Sequence, residues 1–185
     1  MATPAPTTDP PIPAATTPTP AAPQPWHKSF PPPLSTAPLM PRRRAMQILS
    51  LTGVNSSLLL IDVRRTDYEG GCIRGSLNVP AQGFWWNRGV LYEIAYKADV
   101  EWVVFYCGSS SGRGPRCAAW FQDHLRAVGD ENMQAMTLEG GIKGWVRDGE
   151  QYVRLMDGYR EEYWTGLFEE EERKGGKAGA GDVVK

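Results

Sequence analysis

Two continuous apolar runs, Leu58-Leu59-Leu60-Ile61 and Trp102-Val103-Val104-Phe105-Tyr106, show neither helical spacing nor alternation. Runs of that length read as strands covered on both faces, as in a parallel sheet. Ile73 through Val79 reads as a shorter strand stopped by Pro80, and Ala135–Leu138 as another. Between them the spacing changes to the helical period. Ala45, Met46, Ile48 and Leu49 predict a short helix ending near Gly53. Phe84–Tyr96 reads as helical in part, with Gly89 leaving its length open. Pro115–Val128 places Cys117, Phe121, Leu125 and Val128 on one face, and Gly129 follows as its C-cap. Gly140-Gly141 opens a short helix through Val146. Near the end, Tyr159, Tyr163, Trp164, Leu167 and Phe168 share a helical face, and Glu169/Arg173 and Glu170/Lys174 are spaced as i,i+4 pairs. That helix is expected to pack on its own domain. Strands and helices alternating at these lengths predict an α/β domain with a mainly parallel sheet.

Proline sets the boundary of the globular part. Of 16 prolines, 14 lie within residues 1–41, mixed with Ala and Thr. Such composition predicts a disordered, partly polyproline-II tail over 1–41. Within it Phe30-Pro31-Pro32-Pro33 suggests a ligand for a proline-recognising partner. The globular domain is then 42–158, the amphipathic helix 159–174, and 175–185 a flexible Gly/Ala tail. A formal charge of −1 and a pI near 6.1 argue against a nucleic-acid binder. No apolar run approaches the ~20 residues of a membrane span. Cys72, Cys107 and Cys117 are too few for a disulfide framework, and His27 and His124 lie far from any metal-ligand pattern. A reducing compartment, cytosolic or nuclear, is expected.

The candidate chemistry lies in Cys107-Gly108-Ser109-Ser110-Ser111-Gly112-Arg113, between the strand ending at Tyr106 and the helix opening at Gly114-Pro115. Gly108, Ser109, Ser110, Ser111 and Gly112 are small enough for consecutive backbone N–H groups to turn inward as a nest. The helix start adds unsatisfied donors, and Arg113 can chelate two oxygens with its planar fork. Cys107 thus reads as a sulfur nucleophile facing an oxyanion cup of residues 108–113 clamped by Arg113, with no metal required.

Several stretches in order resemble the rhodanese-like domain, especially its M-phase inducer phosphatase branch and the small fungal and plant arsenate reductases. They are Leu60-Ile61-Asp62-Val63-Arg64, the run Tyr68 through Pro80, the run Phe105 through Arg116, and Leu138 through Trp145. The resemblance covers roughly residues 45–150. It implies a three-layer domain with a central, mainly parallel sheet flanked by helices. It further implies a catalytic Cys107, Arg113 as phosphate clamp, Asp62 bracing the loop, and an Arg64–Glu69 ion pair. The sulfurtransferases of this fold have a loop one residue shorter, so five residues between Cys107 and Arg113 fit phosphate or arsenate.

Tyr106 stands where the family usually has His, and Gly112 where the phosphatase branch has Glu. With no carboxyl group in the loop, a general acid would come from Asp67, Glu69 or Glu139, none of which the sequence selects. An acid-free loop is closer to the arsenate-reductase pattern. Cys72 and Cys117 are expected to be structurally buried, leaving an external thiol, glutathione or glutaredoxin, as reductant in that case. Arg116 is expected at the surface, and Phe84-Trp85-Trp86 mostly in the core with one Trp exposed. The reading favoured by the residues is a cysteine-dependent phosphatase acting on a phosphorylated protein through a cysteinyl-phosphate. Arsenate reduction on the same loop is the alternative, and a non-catalytic module binding phosphopeptides or other anions the next.

Overall fold

The two apolar runs form the middle of the sheet. In the computed structural model, which describes residues 24–52 and 57–178, β2 (Leu58–Asp62) lies parallel to β5 (Trp102–Tyr106), with Leu58 opposite Trp102 and Asp62 opposite Tyr106. Outside β5 lie β6 (Gln134–Leu138) and then β1 (Leu39–Met40); outside β2 lies β4 (Leu77–Asn78). All four pairings in this five-stranded sheet are parallel. Strand alternation sends Val103 and Phe105 to one face and Val104 and Tyr106 to the other. On the first face pack α2 (Ala81–Lys97) and α3 (Arg113–Val128), through Phe84, Leu91, Trp120 and Phe121. On the second pack α1 (Arg42–Thr52), α4 (Gly141–Arg147), α5 (Glu150–Val153) and α6 (Glu161–Ala178). The architecture is the expected three-layer α/β domain. Covering on both faces explains why the strands read as unbroken apolar runs.

Several boundaries differ from the expectation. Ile73–Val79 is not one strand. A turn at 74–76, closed by the Ser76 N–H donating to the Ile73 carbonyl at 3.1 Å, separates β3 (Cys72–Ile73) from β4. β3 then pairs antiparallel with β7 (Met156–Asp157) in a small second sheet. α2 runs unbroken through Gly89, because buried Phe84, Leu91 and Ala95 hold it on the sheet; packing outweighs the glycine's low propensity. Phe84 is buried and Trp86 exposed, as expected.

The larger correction concerns the Pro-rich segment. Residues 24–41 lie against the domain. Trp26, Phe30 and Ala37 pack on the α2–α3 layer, and the Trp120 indole N–H donates to the Pro31 carbonyl at 2.9 Å. Asp123 accepts the N–H groups of Leu34 and Ser35, both at 2.8 Å. Phe30, whose run with Pro31-Pro32-Pro33 suggests a proline-recognising partner, instead sits 5.8 Å from the Trp120 ring and 6.2 Å from Trp85. Averaged composition hid a few apolar anchors spaced among prolines. At the other end α6 continues to Ala178, past the expected boundary at 174; extending a formed helix is easy compared with starting one. Lys174 pairs with Glu170 at 2.6 Å, whereas the Arg173 Nε–H donates to the Glu169 backbone carbonyl. Residues 1–23 and 179–185 of the expected tails, and the Gly53 stop signal, lie outside the described residues.

Candidate active site

Because β5 is central and ends at Tyr106, Cys107 emerges at the carboxyl edge of the sheet, where ligand sites of open α/β sheets form. Its side chain is 3% exposed. The chain then bends sharply. Ser110 takes a left-handed conformation (φ 53°) and is itself buried, and its Oγ accepts the Cys107 N–H at 3.4 Å. The Cys107 and Gly108 carbonyls accept the N–H groups of Ile142 (3.0 Å) and Lys143 (2.9 Å) at the start of α4. Gly141 makes that approach feasible. Its φ is +58°, and a Cβ there would lie 2.4 Å from the Cys107 oxygen and 2.6 Å from the Gly108 oxygen. The negative ends of these two loop peptides are therefore committed to α4, away from the cup. At the other end of the loop α3 begins with Arg113 and Gly114, whose N–H groups have no acceptor within the helix.

A cavity of about 330 Å³ opens over the loop and is lined by Cys107, Gly108, Ser109, Ser111, Gly112 and Arg113. Five of the six expected cradle residues thus face one space with the thiol. Ser110 is the exception and acts from behind, as a support. The Arg113 fork is occupied end-on. Its two Nη atoms donate to the Asp67 carboxylate at 2.7 and 2.5 Å. This pairing holds the Asp67 carboxyl down at about 2 and raises Arg113 above its ordinary value. A guanidinium carries five N–H donors, so an end-on partner that takes two leaves Nε–H and the outer hydrogen of each Nη for an oxyanion.

Asp62 braces a different loop from the one expected. Its carboxylate, fully buried, accepts from Arg64 Nη2 at 2.7 Å and Nε at 2.9 Å. Arg64, 1% exposed, then donates to the carbonyls of Glu69 (2.9 Å) and Gly71 (2.7 Å). Asp62 therefore organises residues 67–71 through Arg64. The expected Arg64–Glu69 ion pair is absent: Arg64 takes the Glu69 backbone, and the Glu69 carboxylate faces Arg160 at 3.6 Å. Residues two apart at a strand end share a face, which is why Asp62 is the partner. Tyr106, on the opposite face of β5 from Cys107, is fully buried. Its hydroxyl accepts the Ile73 N–H at 3.2 Å and lies 2.8 Å from Ser76 Oγ, and burial pushes it well above its usual range. It fixes the 72–76 turn. Cys117 is buried as expected, which pushes its thiol up, whereas Cys72 is only half-buried; its thiol beside Tyr68, together with burial, pushes that phenol up to about 12. Arg116 is half-buried in the first turns of α3 and does not line the cavity. Neither does Glu139, an exposed residue 4.0 Å from Arg42.

Sequence reasoning missed the far wall. Tyr163, Trp164 and Leu167 of α6 line the same cavity, with Ile142 and Lys143 of α4. The aromatic face of α6 was visible in the sequence; nothing there tied it to the loop. Asp67, a candidate general acid from the sequence, is the partner of Arg113. Among the described residues, no group of three or more His, Cys, Asp or Glu is placed to hold a metal ion, and no helix is long and apolar enough to cross a membrane.

Known proteins share both architecture and sequence with this chain. An As–Sb reductase from Leishmania major superposes with a TM-score of 0.59 at 22% identity, over 65% of this chain and 84% of its own. A yeast protein tyrosine phosphatase of the rhodanese family gives 0.55 at 23% identity, over 71% and 99%. In sequence the chain is similar to arsenate reductase 2.1 of rice, 33% identical over 118 residues, 61% of this chain and 71% of the relative. It is also similar to the dual specificity phosphatase Cdc25 of Arabidopsis thaliana, 29% identical over 105 residues, 55% and 70%. The Rhodanese-like domain profile matches residues 47–148, from within α1 through the end of α4, so strands β2, β4, β5 and β6, the cysteine loop and the back plate that α4 provides are the parts held in common, and the chain belongs to the rhodanese-like domain family.

Proposed function

We propose that this chain is a cysteine-dependent phosphatase whose nucleophile is Cys107. The observation that carries the reading is the single cavity shared by the Cys107 thiol, the small-residue loop and the Arg113 fork. A tetrahedral phosphoryl group seated there has sulfur beneath it and donors around its equatorial oxygens. Attack forms the S–P bond as the P–O bond to the leaving group breaks. Arg113 and the loop amides stabilise the equatorial charge, and such donors are worth roughly 10²–10³ each in rate. Water then attacks phosphorus, releasing inorganic phosphate and restoring the thiolate. Asp67 keeps the clamp oriented, Asp62 and Arg64 shape the loop that carries Asp67, and Gly108–Gly112 supply the cup.

Arsenate reduction is the second reading, supported by the 33% identity to the rice arsenate reductase and by Gly112 leaving the loop without a carboxyl group. There Cys107 would add to arsenate with loss of water. Two equivalents of an external thiol such as glutathione, or the two thiols of a glutaredoxin, would supply the two electrons, ending as a disulfide while arsenic leaves as arsenite and the Cys107 thiol is restored. The substrate is then a small oxyanion rather than a phosphorylated protein. Three free cysteines suit a reducing compartment, cytosolic or nuclear.

The test is a panel run on native protein and Cys107→Ser: phosphotyrosine peptide, and arsenate with glutathione. The phosphatase reading expects phosphate release that falls at least about 10³-fold in Cys107→Ser. Arsenite production without phosphate release moves the assignment to the second reading. Phosphopeptide binding without either turnover reduces the domain to a receptor.

A further inference from the structure

We propose that α6, which lies outside the family domain, receives the leaving group and restricts the enzyme to aromatic phosphomonoesters. The inference rests on the phosphatase reading above and draws on two separate observations, a wall and a missing acid.

The wall is fixed in place. The Trp164 indole N–H, buried with its ring, donates to the Gly70 carbonyl at 2.7 Å. Tyr163 packs against Gly70, where a Cβ would fall 2.2 Å from its Cδ1 and the φ of +75° already requires glycine. Glu171 binds both Lys143 and Arg147, the latter at 2.7 Å, locking α6 to α4. The Arg147 guanidinium also sits 4.3 Å from the Phe168 ring centroid. Opposite the cup this leaves Tyr163, Leu167 and Ile142 as a largely apolar face. The cavity holds about 330 Å³. A tetrahedral oxyanion occupies on the order of 120 Å³, at about 30 Å³ per oxygen. The remaining space, bordered on one side by Tyr163, Leu167 and Ile142, suits a flat ring.

The lack of a protonated carboxyl group at the cup makes the same selection chemically. Among the described residues lining the cavity, Asp67 carries the one carboxyl group, and Arg113 holds it ionised at about 2. The Lys143 ammonium is turned to Glu171. An alkoxide, far more basic than a phenolate, leaves poorly without a proton donor; a phenolate, with a conjugate acid at about 10, leaves as the anion. The step balances without an acid: S–P forms, P–O(aryl) breaks, and the departing phenolate takes its proton from solvent. Since general acids contribute typically 10²–10⁴-fold, their absence penalises alkyl phosphates by about that factor.

Initial rates on the native full chain compare phenyl phosphate with phosphoserine, and calorimetry in the Cys107→Ser background compares phenyl phosphate with inorganic phosphate for Tyr163→Ala and Leu167→Ala. The expected result is at least a 100-fold preference for phenyl phosphate in kcat/KM. Each α6 substitution is expected to lower the affinity ratio of phenyl phosphate to inorganic phosphate by about tenfold. A ratio unchanged within about twofold, or phosphoserine turned over as fast as phenyl phosphate, overturns the inference. The native-chain comparison stands even if an α6 variant fails to fold. Absence of any Cys107-dependent turnover defeats the phosphatase reading, and the calorimetric ratio still judges the wall.

Discussion

Replacing Asp67 by Asn keeps the side chain's shape and removes its charge, so it isolates what the carboxylate does for the clamp. Two hydrogen bonds of 2.7 and 2.5 Å join it to Arg113, and its carboxyl falls from 3.8 to about 2. In a fully buried pair that depression would correspond to about 2.5 kcal/mol. The Arg113 and Asp67 side chains are 27% and 42% exposed, and solvent screening reduces the figure to about 1 kcal/mol. If the whole of that energy serves to hold the guanidinium over the cup, kcat/KM falls between about 5-fold and about 70-fold, the two ends being the screened and unscreened figures. The loss is expected in kcat more than in KM, because a misdirected fork still offers charge to the substrate but meets the equatorial oxygens poorly.

The assay is steady-state kinetics on an aryl phosphate for native protein and Asp67→Asn, with thermal melts at pH 7 and pH 3. The sign of the pH dependence follows from the direction of the shift. Asp67 is more acidic folded than unfolded, so its stabilisation is complete above about pH 4 and is lost as pH falls toward 2. The stability gap between native and variant should therefore be full at pH 7 and partly closed at pH 3. Tighter phosphate binding in Asp67→Asn, with kcat/KM unchanged or raised, would refute the argument. Asp67 would then be an internal competitor for the clamp rather than its support.

Other substitutions probe the supports. Arg64→Ala leaves the Asp62 carboxylate buried without its partner and should cost about 3–5 kcal/mol in urea unfolding, well beyond a surface change. Gly70→Ala forces a Cβ into Tyr163 at a φ of +75°; a loss of about 1–3 kcal/mol is expected, seen as a lower melting temperature together with weaker aryl phosphate binding. Phe30→Ala removes an anchor of the N-terminal segment from Trp85 and Trp120 and should destabilise by about 1–3 kcal/mol while leaving kcat/KM per folded molecule within about twofold.

What could be read in the sequence is what local chemistry decides alone. β5 spans the predicted Trp102–Tyr106, because an unbroken apolar run beside a Gly/Ser loop has few other uses. The cup is legible in the run Cys107–Arg113, since small residues before a helix start can bend where larger ones cannot. What escaped depends on partners distant in sequence. Arg113 meets Asp67 across 46 positions, and no local spacing signals it. Trp164 reaches Gly70 across 94. The strap over 24–41 was concealed because its few aromatic anchors find a surface on α2 and α3 that only the fold creates. The 73–79 run splits at a turn that the Ser76 N–H closes on the Ile73 carbonyl and that the distant Tyr106 hydroxyl and β7 hold in place.

These long-range contacts converge on one segment. Arg64, itself held by Asp62, ties down the carbonyls of Glu69 and Gly71. Between them Gly70 receives Trp164, and just before them Asp67 receives Arg113. The loop 67–71 therefore carries the clamp's support on one side and the wall's anchor on the other, both referred to a buried ion pair at the end of β2. A disturbance of Arg64 mild enough to leave the sheet folded should move both functions together: the oxyanion clamp through Asp67, and leaving-group selection through Gly70. Independent loss of one without the other would mean that the loop is not a single rigid part. Coupling of that kind requires a connected physical part with defined arrangements, which a buried guanidinium with a carboxylate and two carbonyls on its donors provides.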